Sequence, residues 1–184
     1  MEKIIISVFG KDRPGILAAV SRSLTEQGCN IENISQTILQ QQFAGIFIAS
    51  IPPGLSVDRV DENLKLHINS LGLDVHVKPL DQPISSPTTS ECEPFIVTAV
   101  GADRKGLVAG ITEIFTEYFI NVTNLKAVFK GGNAPGNNIM IYEVDIPADV
   151  DHSCFKEALR KKADSLGLDI SIQHRKVFEM INKI

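Results

Sequence analysis

Apolar positions along this chain follow two rhythms, a strand-like alternation and a helix-like spacing near 3.6 residues, and their order of appearance occurs twice. Residues 4–9 and 95–100 are short, β-rich apolar runs bounded by glycine and predict strands. After each, aliphatic residues fall at helical spacing: Ile16, Leu17, Val20 and Leu24, then Leu107, Val108, Ile111 and Phe115. Residues 30–41 and 44–51 predict two strands around a polar turn, matched by residues 122–130 and 139–146. A second helix has the apolar face Val60, Leu64, Ile68 and Leu71, and its counterpart Phe155, Leu159, Ala163 and Leu166. Gly72 and Gly167 end these helices, and residues 73–77 and 168–172 supply last strands.

The order is therefore βαββαβ, twice. Such a chain packs two helices on one face of a four-stranded antiparallel sheet, the α+β ferredoxin-like arrangement. Residue identities support a duplication: Gly10, Asp12, Arg13 and Gly15 return as Gly101, Asp103, Arg104 and Gly106, and Asn30-Ile31 returns as Asn121-Val122. Expected boundaries are a first domain over residues 1–80, a Pro/Ser-rich linker over 81–93, a second domain over 94–178 and a tail over 179–184. The segment 131–138, rich in Gly and Asn, reads as a long hairpin loop, and it lacks the Lys-Ser/Thr that a phosphate loop requires.

Composition narrows the function. The 184 residues carry a net charge of −4 and no basic stripe, which argues against direct nucleic-acid binding. No apolar run is long enough to span a membrane and no signal-peptide pattern opens the chain, so a cytoplasmic protein is expected. Cys29, Cys92 and Cys154 read as reduced thiols, and the four histidines show no metal-ligand spacing. Neither a nucleophile turn nor an acid and base pair stands out, so no metal, cofactor or catalytic residue is expected.

The loop after the first strand carries the chemistry. Gly10 permits a tight turn, and Pro14 is expected in the first helical turn, where a missing N–H is harmless. The helix then directs unpaired amides at the loop and suits a carboxylate, while Asp12 suits an ammonium group. Asn30, expected on an edge adjacent to the loop, can donate to the one and accept from the other. The candidate ligand-binding residues are Gly10, Asp12, Arg13, Pro14, Gly15, Asn30 and Ile31 in the first repeat. In the second they are Gly101, Asp103, Arg104, Gly106, Asn121 and Val122. A plainer reading makes Asp12 or Arg13 a helix cap and Asn30 a turn residue. Lys105 in place of Pro14 and Phe119 in place of Gly28 favour that plainer reading in the second repeat. The first strand is apolar on both faces, so the sheet face without helices is expected to pack between repeats or chains.

On the Gly-x-Asp-Arg-Pro-Gly turn, the downstream Asn-Ile and the run from Asn33 to Thr37, the chain resembles the ACT-domain family over nearly its whole length. The resemblance implies binding of small amino acids, often between paired domains. For the tandem form it also implies a glycine-responsive regulator of transcription, with glycine or serine as effector. Such a regulator would act through a partner transcription factor and form a homodimer. Two rivals share the topology: a small acylphosphatase-like enzyme using Arg13 and Asn30, and an RNA-recognition module, for which the sheet lacks aromatics and basic charge. A ligand-free interaction module is a further alternative.

Overall fold

The structure, a computed structural model, describes residues 2–80, 92–130 and 138–181. It divides into two units, Met1–Ile84 and Ser85–Ile184. In the first, β1 (Lys3–Lys11) is followed by α1 (Ile16–Glu26), β2 (Asn30–Leu39), β3 (Gln42–Ser50), α2 (Val57–Ile68), a 3-10 turn (Asn69–Leu71) and β4 (Leu73–Pro79). The second repeats the order with β5 (Cys92–Gly101), α3 (Leu107–Glu117), β6 (Asn121–Phe129), β7 (Asn138–Pro147), α4 (His152–Ser165) and β8 (Leu168–His174), then adds α5 (Arg175–Ile181). The sheets are antiparallel with strand orders β2-β3-β1-β4 and β6-β7-β5-β8. Each unit is thus an α+β ferredoxin-like domain, and the two stand in tandem.

Period-two alternation decides which side of each sheet the helices cover. Ile4, Ile6 and Val8 of β1 and Phe47 and Ala49 of β3 are buried with Ile16, Val20 and Leu24 of α1 and Val60, Leu64 and Ile68 of α2. Val97, Ala99, Tyr142 and Val144 meet Leu107, Ile111, Phe115, Phe155 and Leu159 in the same way. Each of the larger aliphatic or aromatic side chains among them contributes roughly 1.5–3 kcal/mol by leaving water. On the other face of the first sheet Phe9 and Ile46 stay about half exposed, whereas in the second unit Arg175 of α5 pairs with Glu143 of β7 and Ile96 is buried.

Several boundaries differ from expectation. The first hairpin turns at Gln40 and Gln41, both left-handed at φ 47° and 65°, so β2 stops at Leu39 and β3 begins at Gln42. Two-residue turns of this hand favour Asn-Gly, and a Gln pair gives no such signal. The expected linker over 81–93 lies outside the described residues except for Cys92 and Glu93, which belong to β5. The expected tail is helical up to Ile181. Of the expected hairpin loop, residues 131–137 lie outside the described residues, and Asn138 opens β7 as a buried strand residue. Among the described residues no helix is long and apolar enough to cross a membrane.

Candidate functional site

The repeated loop is shaped first by the fold. At Gly10 a Cβ would sit 3.1 Å from the Gly72 carbonyl oxygen and 2.8 Å from Leu73 Cδ2, and at Gly101 the same distances to Gly167 O and Leu168 Cδ2 are 2.8 and 2.7 Å. Only glycine lets the end of the first strand lie this close to the start of the last. Arg13 then reaches across the loop, and its Nη2 donates to the Leu71 carbonyl at the end of the 3-10 turn. Arg104 lies over the equivalent place, its Nη2 2.6 Å from where a Cβ on Gly167 would be. Both arginines, expected to face a ligand, lie against the end of the second helix of their own unit.

Gly15 and Gly106 are the N-caps of α1 and α3, left-handed at φ 97° and 86°. Pro14 accordingly precedes the cap and does not occupy the first helical turn; its fixed φ acts in the loop. The backbone N–H of Asp12 donates to Gln41 O at 2.8 Å and ties the loop to the tip of the β2–β3 hairpin. The half-buried carboxylates of Asp12 and Asp103 have no hydrogen-bond partner among the described residues and cap neither helix.

The helix ends divide into two kinds. At α2, Ser56 accepts from the Arg59 amide at 3.4 Å. At α4, Asp151 accepts from the Ser153 and Cys154 amides at 2.8 and 3.0 Å, bonds that hold its carboxyl below the usual aspartate range. At α1 and α3 no side chain caps the helix, and the first intrahelical bonds run from Ala19 N to Gly15 O and from Gly110 N to Gly106 O. The amides of Ile16 to Ala18 and of Leu107 to Ala109 thus point out of the helix ends without internal acceptors. In both repeats, then, a set of free donors stands next to a loop with an unpaired carboxylate. Beside the first loop an open groove of about 540 Å³ is lined by Phe9, Gly10, Thr37, Leu39, Gln40, Gln42, Phe43 and Ala44.

Asn30 is not adjacent to this loop. It pairs with Ser50, which pairs on its other side with Lys3, whereas Gly10 pairs with Phe43. From Lys3 to Gly10 the strand rises about 23 Å, so Asn30 and Ile31 lie at the far end of the sheet from Asp12. Asn121 pairs with Asp145, opposite Pro94, which leaves Asn121 and Val122 equally far from Gly101. The expectation of adjacency overlooked that α1 carries the chain back across the sheet, so that β2 starts at the Lys3 end and runs parallel to β1. The separation also breaks the Arg13 and Asn30 pair that an acylphosphatase-like site needs. At the Asn30 end Lys3 Nζ stands 2.5 Å from Glu32 and, by hydrogen bonding, holds that carboxyl below its ordinary range. Among the described residues no group of His, Cys, Asp and Glu is arranged to hold a metal ion.

Sequence reading also missed Phe43, Gln41 and Asn138. Phe43 and Asn138 become visible only through register, since each pairs with the first glycine of the motif in its unit.

Comparison with known proteins agrees with this architecture. A UPF0237 protein of Methanopyrus kandleri is 39% identical over 82 residues, covering 44% of this chain and 91% of that protein. One from Clostridium acetobutylicum is 39% identical over 77 residues, 41% of this chain and 86% of its own. Among solved structures, an unknown protein from Galdieria sulphuraria superposes with a TM-score of 0.76 at 20% identity, covering 94% of this chain and 98% of that one. A candidate glycine cleavage system transcriptional repressor superposes with a TM-score of 0.69 at 22% identity, covering 94% and 96%. These two likenesses establish the shared two-unit fold. The ACT domain profile matches residues 2–78 and 93–173, which takes in both repeats, and the chain belongs to the ACT-domain family.

Proposed function

We propose that this protein is a non-enzymatic, amino-acid-responsive regulator that holds a small zwitterion at the loop between the first strand and first helix of an ACT domain. The observation that carries this reading is the contrast among helix ends: α2 and α4 are capped by side chains, while α1 and α3 both leave amides free beside an aspartate with no partner among the described residues. Free amides and a positive helix end suit a carboxylate, and Asp12 or Asp103 suits an ammonium group within reach of the same small molecule. Gly10, Gly15, Pro14 and Arg13, with Gly101, Gly106 and Arg104, set the loop's shape.

Asn30 and Asn121 enter such a site only from another ACT domain. We assign that role to a second copy of the chain, a homodimer in which the β2 end of one copy meets the loop of the other. Glycine or serine is the proposed effector, and a partner transcription factor is the proposed target, since the chain's net charge of −4 and lack of a basic stripe do not favour direct contact with nucleic acid. The ligand shifts the mutual arrangement of domains only as far as it binds one arrangement better than another.

Calorimetry of the full chain against a panel of amino acids, glycine and serine first, tests the reading. Binding is expected, and Asp12→Asn together with Asp103→Asn is expected to abolish it. Silence of the wild-type chain, or undiminished binding by the double variant, refutes it. Mixing an Asp12→Ala/Asp103→Ala chain with an Asn30→Ala/Asn121→Ala chain tests the shared site: a mixture binds where neither double variant alone does.

A further inference from the structure

The two repeats differ at one position beside the motif glycine. Gly10 pairs with Phe43 on β3, and Gly101 pairs with Asn138 on β7, so Asn138 stands where the first unit has a ring that lines the groove. Asn138 is 0% exposed, and neither its Nδ2 nor its Oδ1 has a hydrogen-bond partner among the described residues. An enclosed amide with both groups unmet costs free energy that an apolar side chain of similar size would not, so packing alone does not explain it.

The neighbouring positions show how packing was satisfied without it. In the first unit the Phe43 ring folds over Gly45, with Cζ 2.8 Å from where a Cβ would be. Gly45 pairs with Val8, and the corresponding pair in the second unit is Met140 with Ala99. Phe and Gly are therefore exchanged for Asn and Met: Met140 is fully buried in the core, and its sulfur accepts from the Tyr142 hydroxyl at 3.2 Å. Volume supplied by the Phe43 ring in one unit comes from Met140 in the other. The Asn138 amide is thereby not required to fill the core, and it lies enclosed next to Gly101, on the side of the sheet from which α3 presents its uncapped amides.

We propose that the two repeats select different effectors, and that the second takes a small amino acid whose side chain ends in a hydroxyl or carboxamide, recognised by Asn138. This rests on the reading of the loop as an effector site. A group that both donates and accepts satisfies Nδ2 and Oδ1 together, while a hydrogen or methyl in that place leaves both unmet. The Phe43 position in the first repeat offers only a ring, which suits an effector with no polar side chain, glycine among them.

The test is calorimetry of the full chain with serine, asparagine, glutamine, alanine and glycine, for wild type and Asn138→Leu. Asn138→Ala serves if circular dichroism shows that leucine disturbs the fold. Wild type is expected to prefer the hydroxyl or carboxamide ligands over alanine by tenfold or more at one of two sites. The variant is expected to lose that preference, keep glycine binding at the first repeat, and melt at a higher temperature without ligand because an unmet amide has been removed. Silence of wild type toward the whole panel overturns both this proposal and the reading beneath it. Amino acid binding whose selectivity is unchanged by Asn138→Leu overturns this proposal alone, as does a variant that melts lower in both substitutions, which would make the amide a structural group.

Discussion

Gly101→Ala tests whether the motif glycine is there for close approach. Gly101 does not have a left-handed φ, so alanine fits its backbone conformation, and the substitution would gain about 0.4–1 kcal/mol by restricting the unfolded chain. Against this, the new Cβ meets Gly167 O at 2.8 Å and Leu168 Cδ2 at 2.7 Å. Leucine can change rotamer, but the carbonyl belongs to the backbone that opens β8 and cannot yield without moving the strand. Overpacking of this kind costs roughly 1–3 kcal/mol, and with a backbone atom as the obstacle the upper part of that range applies, leaving a net loss of about 2 kcal/mol. The chain has no tryptophan and two tyrosines, Tyr118 and Tyr142, both in the second unit, so tyrosine fluorescence reports on that unit's unfolding. With a urea dependence of about 1 kcal/mol per M for a domain this small, the fluorescence midpoint should fall by about 2 M. Gly10→Ala adds a backbone φ of 157°, which side chains rarely adopt, to a looser carbonyl contact of 3.1 Å, and should also destabilise its unit, read by circular dichroism. A Gly101→Ala midpoint within about 0.3 M of wild type would refute the close-approach argument.

Two pH effects follow from groups in the second unit. Tyr142 is fully enclosed and burial pushes its hydroxyl up to about 12, so its neutral form is favoured by folding; that contribution is whole below pH 10 and is lost as pH rises through 12, and a phenolate absorbance titration should show one tyrosine ionising near 12 together with unfolding of the second unit. The Asp151 carboxyl lies below its ordinary value because it accepts from the Cys154 and Ser153 amides; its contribution is present above the ordinary aspartate value and is lost as pH falls through the lowered one, so Asp151→Ala should flatten the acid limb of the second unit's stability profile, and an unchanged limb would show that the cap does not titrate with folding.

What could be read from the sequence was whatever depends on neighbours along the chain. Helical spacing identified Val60, Leu64 and Ile68 as a buried face, and alternation did the same for Ile4, Ile6 and Val8, because those periods follow from local geometry. The hairpin turn was displaced since Gln40 and Gln41 adopt positive φ without the residues that advertise it. Asn138 looked like loop because its composition is that of the preceding segment, and its burial is decided by pairing with Gly101 across the sheet. Asn30 was misplaced for a related reason. Its distance from Asp12 depends on strand direction and register, and neither leaves a mark at Asn30 itself.

The Gly-x-Asp-Arg-x-Gly motif separates into two functions once register is known. Its glycines and arginine are accounted for by the fold: one glycine admits the last strand, the other forms the left-handed cap, and the guanidinium lies against the end of the second helix. Those three positions would need these residues whether or not anything binds. The aspartate is the remainder, since folding uses the backbone N–H of Asp12 and leaves its carboxylate without a partner among the described residues, beside amides that no side chain caps. A carboxylate next to the positive end of a helix would stabilise that end by reaching its amides, and Asp151 does so at α4. That Asp12 and Asp103 do not, in two copies whose sequences have diverged around them, is the physical ground for assigning them to a ligand.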